Sequence, residues 1–263
     1  MTPQEPDDVL LVTRDGPVAT VMLNRPHRRN AVTQDMLDAL AAFFAACRRD
    51  RECKAIILHG AGDHFCVGLD LVGAHGDDPI LDELLLGDWG LADILRDMRA
   101  CPQPIVMLGN GSIAGAGLIF ALAADIIIAS DDAFFTTAFI NLGLSGTELG
   151  VAWRLQRTVG LSLAREMAFT SARLPADRAL TAGLVSHVVP KDALLAEGRA
   201  MANRIAQYSQ DALRLTKRNL DLALQSPSVE ISYELEERAQ LRRAAGGALD
   251  EALAAFNARK SGN

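Results

Sequence analysis

Long apolar runs are missing from this chain. No stretch reaches the ~18 residues that a membrane span requires, so no membrane partner is expected. Also missing is a basic start followed by an apolar run. Residues Met1 to Asp8 are polar and acidic, so no signal peptide is expected. Positive charge is in deficit, with a net charge of −7. A nucleic-acid partner would want a basic face, so none is expected. A polyanionic small molecule can still be met by a few local Arg and Lys residues. The four cysteines (Cys47, Cys53, Cys66, Cys101) form no CxxC pair and no metal-ligand spacing, which reads as reduced thiols in a cytoplasmic protein. The five histidines (His27, His59, His64, His75, His187) make no HxxxH or HxH pair, so no metal site is expected.

What is present suits one large domain, or a core with a smaller appended part: 263 residues, 49% hydrophobic and 22% charged. Val9 to Thr13 and Val18 to Leu23 are apolar β-rich runs around Asp15-Gly16, which reads as a hairpin. Met36, Leu37, Leu40, Phe43, Phe44 and Cys47 share one face at helical spacing, with Thr33 as N-cap. Ala55 to Leu58 is a short buried strand. Leu81 to Arg99 reads as a helix broken by Cys101-Pro102-Gln103-Pro104. Ile105 to Leu108 is a strand, Leu118 to Ala124 an apolar helix, and Ile126 to Ala129 another strand. Phe134 and Phe135 begin one more. From Leu149 the pattern is helical except for an apolar strand, Leu184 to Val189. Lys191 to Tyr208, Asp211 to Leu224, Val229 to Ala245 and Leu249 to Lys260 all read as helices. An α/β core followed by a helical region is the expected architecture.

A run of small residues, Gly109 to Gly117, admits two readings. Gly109, Gly111 and Ala114 fit G-x-G-x-x-[GA] between a strand and a helix, with Asp131 downstream, which is the dinucleotide fingerprint. The plainer reading is a tight turn into a close-packed helix.

Six motifs in order decide against the fingerprint. They are Asn24-Arg25-Pro26 with Asn30-Ala31; Gly62-Asp63-His64-Phe65-Cys66-Val67-Gly68-Leu69-Asp70; Pro104 to Asp125; Gly143 with Arg154-Leu155 and Val159-Gly160; Ala179 with Gly183-Leu184-Val185; and Glu251 with Ala255-Phe256. Their order and spacing resemble the crotonase (enoyl-CoA hydratase/isomerase) family from about residue 9 to 260. The resemblance implies a crotonase-type spiral of ββα units with a C-terminal helical region. Residues 1–200 would be the spiral core. Residues 201–263 would be a trimerisation region, giving a homotrimer or a dimer of trimers. It also implies an acyl-CoA substrate, with no cofactor beyond the coenzyme A that the substrate carries. Leu69 and Ala116 would offer the backbone N–H groups that stabilise charge on the thioester oxygen. Ala31, Asp70, Leu71 and Val72 would contact the CoA moiety. Arg25, Arg28 and Arg29 form a basic cluster that could meet its phosphates.

The chain departs from the family at three points. Hydratases of the family carry a glutamate where this chain has Ile119 and a second where it has Phe139, and the middle glycine of their triple is Ala116. One candidate acid remains, Glu148 in Ser145-Gly146-Thr147-Glu148-Leu149-Gly150, which by the resemblance would face the acyl pocket beside Phe139. There it would be partly desolvated and suited to proton transfer. It could also serve as the N-cap or a first-turn acid of the helix carrying Trp153 to Thr158. Trp153 would line the acyl pocket or the core. His64 reads as a neighbour of the oxyanion loop, Asp70 as a brace for its turn and Cys66 as core. The reaction expected is hydration or isomerisation through an enolate. Thioester hydrolysis, retro-aldol (C–C) cleavage, decarboxylation and non-catalytic acyl-CoA binding are the rivals.

Overall fold

The structure is a computed structural model and describes residues 8–71, 90–247, 249–250 and 253. The first two strands are β1 (Leu10–Asp15) and β2 (Val18–Leu23), paired antiparallel through the turn at Asp15-Gly16. Helix α1 (Gln34–Cys47) follows, its first turn capped by the Thr33 side chain, which accepts from the Met36 N–H. Then come β3 (Ala55–Gly60), α2 (Leu91–Ala100), β4 (Ile105–Gly109), β5 (Ser112–Ala114) and α3 (Ala116–Ala123). After them lie β6 (Ile126–Ser130), β7 (Phe134–Thr136), α4 (Val151–Val159), α5 (Leu161–Thr170), β8 (Leu174–Pro175), α6 (Ala176–Thr181) and β9 (His187–Val189). Helices α7 (Leu194–Ala206), α8 (Gln210–Gln225) and α9 (Val229–Ala245) finish the described chain.

Six strands form one sheet in the order β1-β2-β3-β4-β6-β9, all parallel after the first hairpin. A small sheet, β5-β7-β8, lies apart from it. The chain visits the two layers alternately. After β3 it crosses to Cys66, which bridges Ile113 of β5; after β4 it crosses to β5; after β6 it crosses to β7. Each coil thus repeats one in-register step, which makes the core a spiral.

Alternation within the strands divides the core between the two faces of the large sheet. Ile56, Leu58, Ile105 and Met107 pack with Met36, Leu40 and Phe44 of α1 and Ile94 and Met98 of α2. Ala55, Ile57, Val106, Leu108 and Ile128 face the other way, onto Leu194, Ala202 and Ala206 of α7. Burial on both faces is why these strands read as unbroken apolar runs.

Several sequence expectations shift. The apolar helix begins at Ala116 rather than Leu118, because Ala116 and Gly117 already form its first turn. Ser112–Ala114 is a strand, so Gly109, Gly111 and Ala114 do not make the strand–turn–helix that a dinucleotide fingerprint requires. Of Leu184 to Val189 only His187–Val189 pairs; the N–H groups of Leu184 and Val185 bond back to the Ala179 carbonyl. The two-residue strand Leu174–Pro175 carries too few residues for any periodicity to reveal it. Lys191–Ala193 is a single 3₁₀ turn before α7. The first part of the expected helix Leu81 to Arg99 lies outside the described residues. So does most of the closing helix, with Glu251, Ala255 and Phe256.

A cluster of charges ties α8 to the core. Lys217 is buried, and its Nζ donates to the carbonyls of Met98 (2.9 Å) and Gln103 (3.0 Å) and pairs with Asp125 (2.9 Å). Arg99 pairs with Asp125 at 2.8 Å and with Asp221 of α8. Removing one partner of a buried ion pair leaves the other poorly solvated. Lys217→Met should therefore lower stability by about 3 kcal/mol, read as a fall in the urea midpoint.

Candidate active site

The site grows from two turns that touch. The segment from Phe65 to Asp70 hydrogen-bonds first to one side and then to the other. Cys66 exchanges bonds with β5: its N–H donates to the Ser112 carbonyl (3.2 Å), and its carbonyl accepts from Ala114 (3.0 Å). Two residues on, the Gly68 carbonyl accepts from Val32 (2.8 Å), and the Asp70 N–H donates to the Val32 carbonyl (2.9 Å). In such a bridge the flanking residues bond to the partner, so the N–H of the central Leu69 points away from Val32. Ala116 is the first residue of α3, and its N–H has no carbonyl one turn back to meet. Among the described residues neither N–H has an acceptor.

Glycine allows the two turns to approach. Gly68 (φ +105°) and Gly115 (φ +52°) both occupy backbone conformations that side chains disfavour. A methyl on Gly68 would lie 3.5 Å from the Ala114 oxygen and 3.7 Å from the Ala116 nitrogen. The N–H of Gly115 donates to the Thr136 carbonyl at 3.3 Å, which fixes the second turn against β7. The positive end of the α3 dipole adds to the Ala116 donor. At the far end of the helix, Arg99 Nη1 bonds the carbonyls of Ala123 (3.0 Å) and Ala124 (3.5 Å).

Leu69 and Ala116 line a cavity of about 320 Å³. Ile119 and Phe139, the positions where the resemblance places glutamates, also line it, and both are buried. Among the described lining residues only Glu148 and Asn141 carry polar side chains. Glu148 is half-buried, and that burial raises its pKa above the ordinary carboxylate value. It is not the cap of α4; that place belongs to Gly150, and the Glu148 carbonyl accepts from Val151 at 2.8 Å. Leu149 between them sits at φ +44°, a strained conformation for leucine beside a candidate catalytic group.

Outside the cavity lies a second hollow of about 440 Å³, sharing Val67, Leu69 and Leu71 with it and edged by His27, Arg28, Arg29 and Ala31. Arg25 does not belong to this basic edge. It is buried, bonded to the Ala31 carbonyl at 2.7 Å and to Asp70 at 2.9 Å, and so is withdrawn from any phosphate. Arg28 also reaches Asp70, at 2.8 Å, and keeps part of its surface open. The stretch from Asn24 to Ala31 is a 3₁₀ turn, Pro26–Arg28, and not the start of a helix. Buried Asn30 shapes it, accepting from the Arg25 N–H and donating to the carbonyls of Ala61 and His64. Val72 lies outside the described residues.

The remaining sequence candidates fall where their chemistry is quiet. His64 Nδ1 accepts from the Ser112 N–H at 3.1 Å and braces the donor loop. Burial pushes the Cys66 thiol up to about 12, which makes it no nucleophile. Trp153 is not on the cavity; its ring carries the Arg157 guanidinium at 4.3 Å and that of Arg154 at 5.7 Å. No group of three or more His, Cys, Asp and Glu residues placed to hold a metal ion occurs among the described residues. Asn141 escaped the sequence reading, because a lone asparagine in a 3₁₀ turn belongs to no motif.

Comparison with known proteins gives concordant matches. The family model for enoyl-CoA hydratase/isomerase matches residues 13–261. A probable enoyl-CoA hydratase of Mycobacterium tuberculosis is 36% identical over 240 residues, covering 89% of this chain and 84% of that protein. The human mitochondrial Delta(3,5)-Delta(2,4)-dienoyl-CoA isomerase is 35% identical, covering 77% of this chain and 65% of that protein. The crystal structure of an enoyl-CoA hydratase of Mycobacterium smegmatis superposes with a TM-score of 0.87 at 29% identity, over 96% of this chain and 97% of that one.

The position of Glu148 has a consequence for stability. A folded-state pKa raised above the unfolded value means that the folded protein holds the proton more tightly. The group is neutral in either state at low pH. It opposes folding increasingly as the pH rises from its unfolded pKa, and in full above its folded pKa. Glu148→Gln should therefore be more stable than the native protein at pH 8, and the difference should vanish near pH 4. Thermal midpoints at the two pH values check this.

Proposed function

Because this chain belongs to the enoyl-CoA hydratase/isomerase family, we propose that it is an enzyme that moves the double bond of an unsaturated acyl-CoA thioester through an enolate. One observation carries the reading: among the described residues, two backbone N–H groups without an acceptor and a single carboxylate meet on the wall of one largely apolar cavity.

The chemistry runs as follows for a 3-enoyl thioester. The Glu148 carboxylate takes a proton from C2, between the carbonyl and the double bond. The electron pair moves into the carbonyl, and negative charge collects on the thioester oxygen. The N–H groups of Leu69 and Ala116 donate to that oxygen, each contributing ~3 kcal/mol to the transition state. The Glu148 carboxyl then returns its proton at C4, leaving the double bond between C2 and C3. No atom is gained or lost, so the reaction calls for no cofactor beyond the coenzyme A that the substrate carries. A carboxylate with a raised pKa is the better base for a carbon acid.

Hydration is the less favoured reading. A water molecule held for attack needs two to four polar partners. Ile119 and Phe139 supply none where the hydratases of the family place carboxylates. A proton moved between two carbons needs only one acid–base group. On the CoA side, Ala31 and Leu71 line the outer hollow and would flank the pantetheine, while Arg28 and Arg29 would face the phosphates. Asp70 would hold Arg28 in place there.

A homotrimer or dimer of trimers fits the apolar side chains exposed on the C-terminal helices, Leu220, Leu224, Ile231 and Leu241 among them. The region from residue 201 on is then the assembly region. Four unpaired cysteines fit a cytoplasmic setting. No helix among the described residues is long and apolar enough to cross a membrane.

The test follows conversion of a 3-enoyl-CoA to its 2-enoyl isomer, with crotonyl-CoA hydration in parallel. Glu148→Gln should lose at least ~100-fold in kcat with KM changed little. A Glu148→Gln protein as fast as the native one would overturn the role of Glu148. Faster hydration than isomerisation would reverse the order of the two reactions, and tight CoA-ester binding without turnover would make this a binding protein. Release of free CoA or CO2 from the same panel would indicate thioester hydrolysis or decarboxylation. Gly68→Ala should cost ~100-fold in kcat by displacing one donor, and circular dichroism would separate this from unfolding.

A further inference from the structure

Asn141 is the second polar side chain on the cavity wall, and the isomerisation has no use for it. Its side chain is exposed, yet one end of it is tethered. Its Nδ2 donates to Ser171 Oγ at 2.9 Å. Ser171 Oγ lies 3.1 Å from Thr136 Oγ1, and Thr136 Oγ1 donates to the Ser171 carbonyl at 3.0 Å. With the threonine proton so committed, the Ser171 hydroxyl is left to donate to Thr136 and to accept from Asn141. The Thr136 carbonyl in turn accepts from the N–H of Gly115, the residue before the Ala116 donor. A continuous set of hydrogen bonds thus runs from the Asn141 amide to the peptide beside the oxyanion site. It ties the amide to the same frame as the donors. Ser171 holds this arrangement from the C-cap of α5, in the left-handed conformation at φ +54°.

One N–H of Asn141 is used on Ser171. The second N–H and Oδ1 meet no protein partner among the described residues and are open to solvent or to a ligand in the cavity. An amide offering one donor and one acceptor side by side matches a group that does the same, and a hydroxyl is the simplest such group. The rest of the described cavity wall is apolar apart from Glu148, so a hydroxyl elsewhere in the cavity would go unpaired.

We propose that Asn141 is a specificity-determining residue that selects acyl-CoA thioesters bearing a hydroxyl on the acyl chain beyond the reacting carbons. This rests on the isomerase reading and names the substrate class for the same site.

The experiment compares a 3-enoyl-CoA with its counterpart of equal chain length carrying one hydroxyl beyond the double bond. The native protein should prefer the hydroxylated ester by about 5-fold in kcat/KM, the scale of one hydrogen bond exchanged with water. In Asn141→Leu the ratio should fall to one or below. In Ser171→Ala, which frees the amide from its anchor, it should fall part of the way. The ratio of two substrates on one protein sample does not depend on how much of that sample is folded, so a merely structural role for Asn141 would leave it unmoved. A native ratio near one, or a ratio unchanged in Asn141→Leu, overturns the proposal. If neither ester is turned over, the isomerase reading fails by itself. The same ratio is then taken from the Kd values of the two esters by calorimetry, where a preference lost in Asn141→Leu supports the assignment and no preference overturns it.

Discussion

The contact of two bare backbone turns, Gly68 against Gly115, is the constraint on which the rest of the structure depends. Two N–H groups can serve one oxygen atom only if they come within a few ångströms of a common point. Both turns bend through glycine conformations that a side chain would strain. Everything around the turns fixes one or the other. Val32 and β5 pull on alternate residues of the first turn, and Thr136 holds the second. Asn30 and His64 secure the loop that leads into the first. The spiral places these fixtures, because each coil lays one segment in the large sheet and one in the small layer, and both donors follow just after segments of the small layer.

Helix α3 joins the site to the charge cluster on the far side. Its amino end offers the Ala116 N–H to the cavity, and its last carbonyls end on Arg99. Arg99 is shared with Asp125 and with Asp221 of α8, and Asp125 is shared with buried Lys217. Burying such charges offers little net stability over well-packed apolar side chains, but breaking one pair strands its partner. The cluster therefore specifies where α8 sits more than it deepens the fold, and it couples that placement to the axis of the helix that ends at the site.

The sequence disclosed the fold where periodicity was strong, and the order of its motifs pointed to two turns that the structure brings together. The strands around Ile57, Val106 and Ile128 and the face of α1 from Met36 to Phe44 follow from burial alone. Leu69 and Ala116 follow from the order of the motifs, since a turn is set by its glycines and needs no particular side chain at the donor. What stayed hidden depends on contacts between residues distant in the chain. Arg25 stands in a basic run and yet is withdrawn, because Asp70, forty-five residues on, takes it into the interior. Leu174–Pro175 is a strand only because β7 lies beside it. Asn141 matters through Ser171, thirty residues on, and no local pattern reports such a pair.

The apolar substitutions at Ile119 and Phe139 change what the remaining acid can do. A carboxylate among polar neighbours is held near its ordinary pKa and keeps bound water. Glu148 has neither a cation nor a polar side chain bonded to it among the described residues, and burial is the one cause raising its pKa. On the proposed reading, an enolate forming against these apolar walls is screened less than in bulk water, so the two N–H dipoles act more strongly on it. The same desolvation that makes the carboxylate a stronger base makes the donors more effective. On the proposed reading, the apolar side chains of Ile119 and Phe139 withhold polar partners from a water molecule, and Glu148 is left to carry one proton from carbon to carbon.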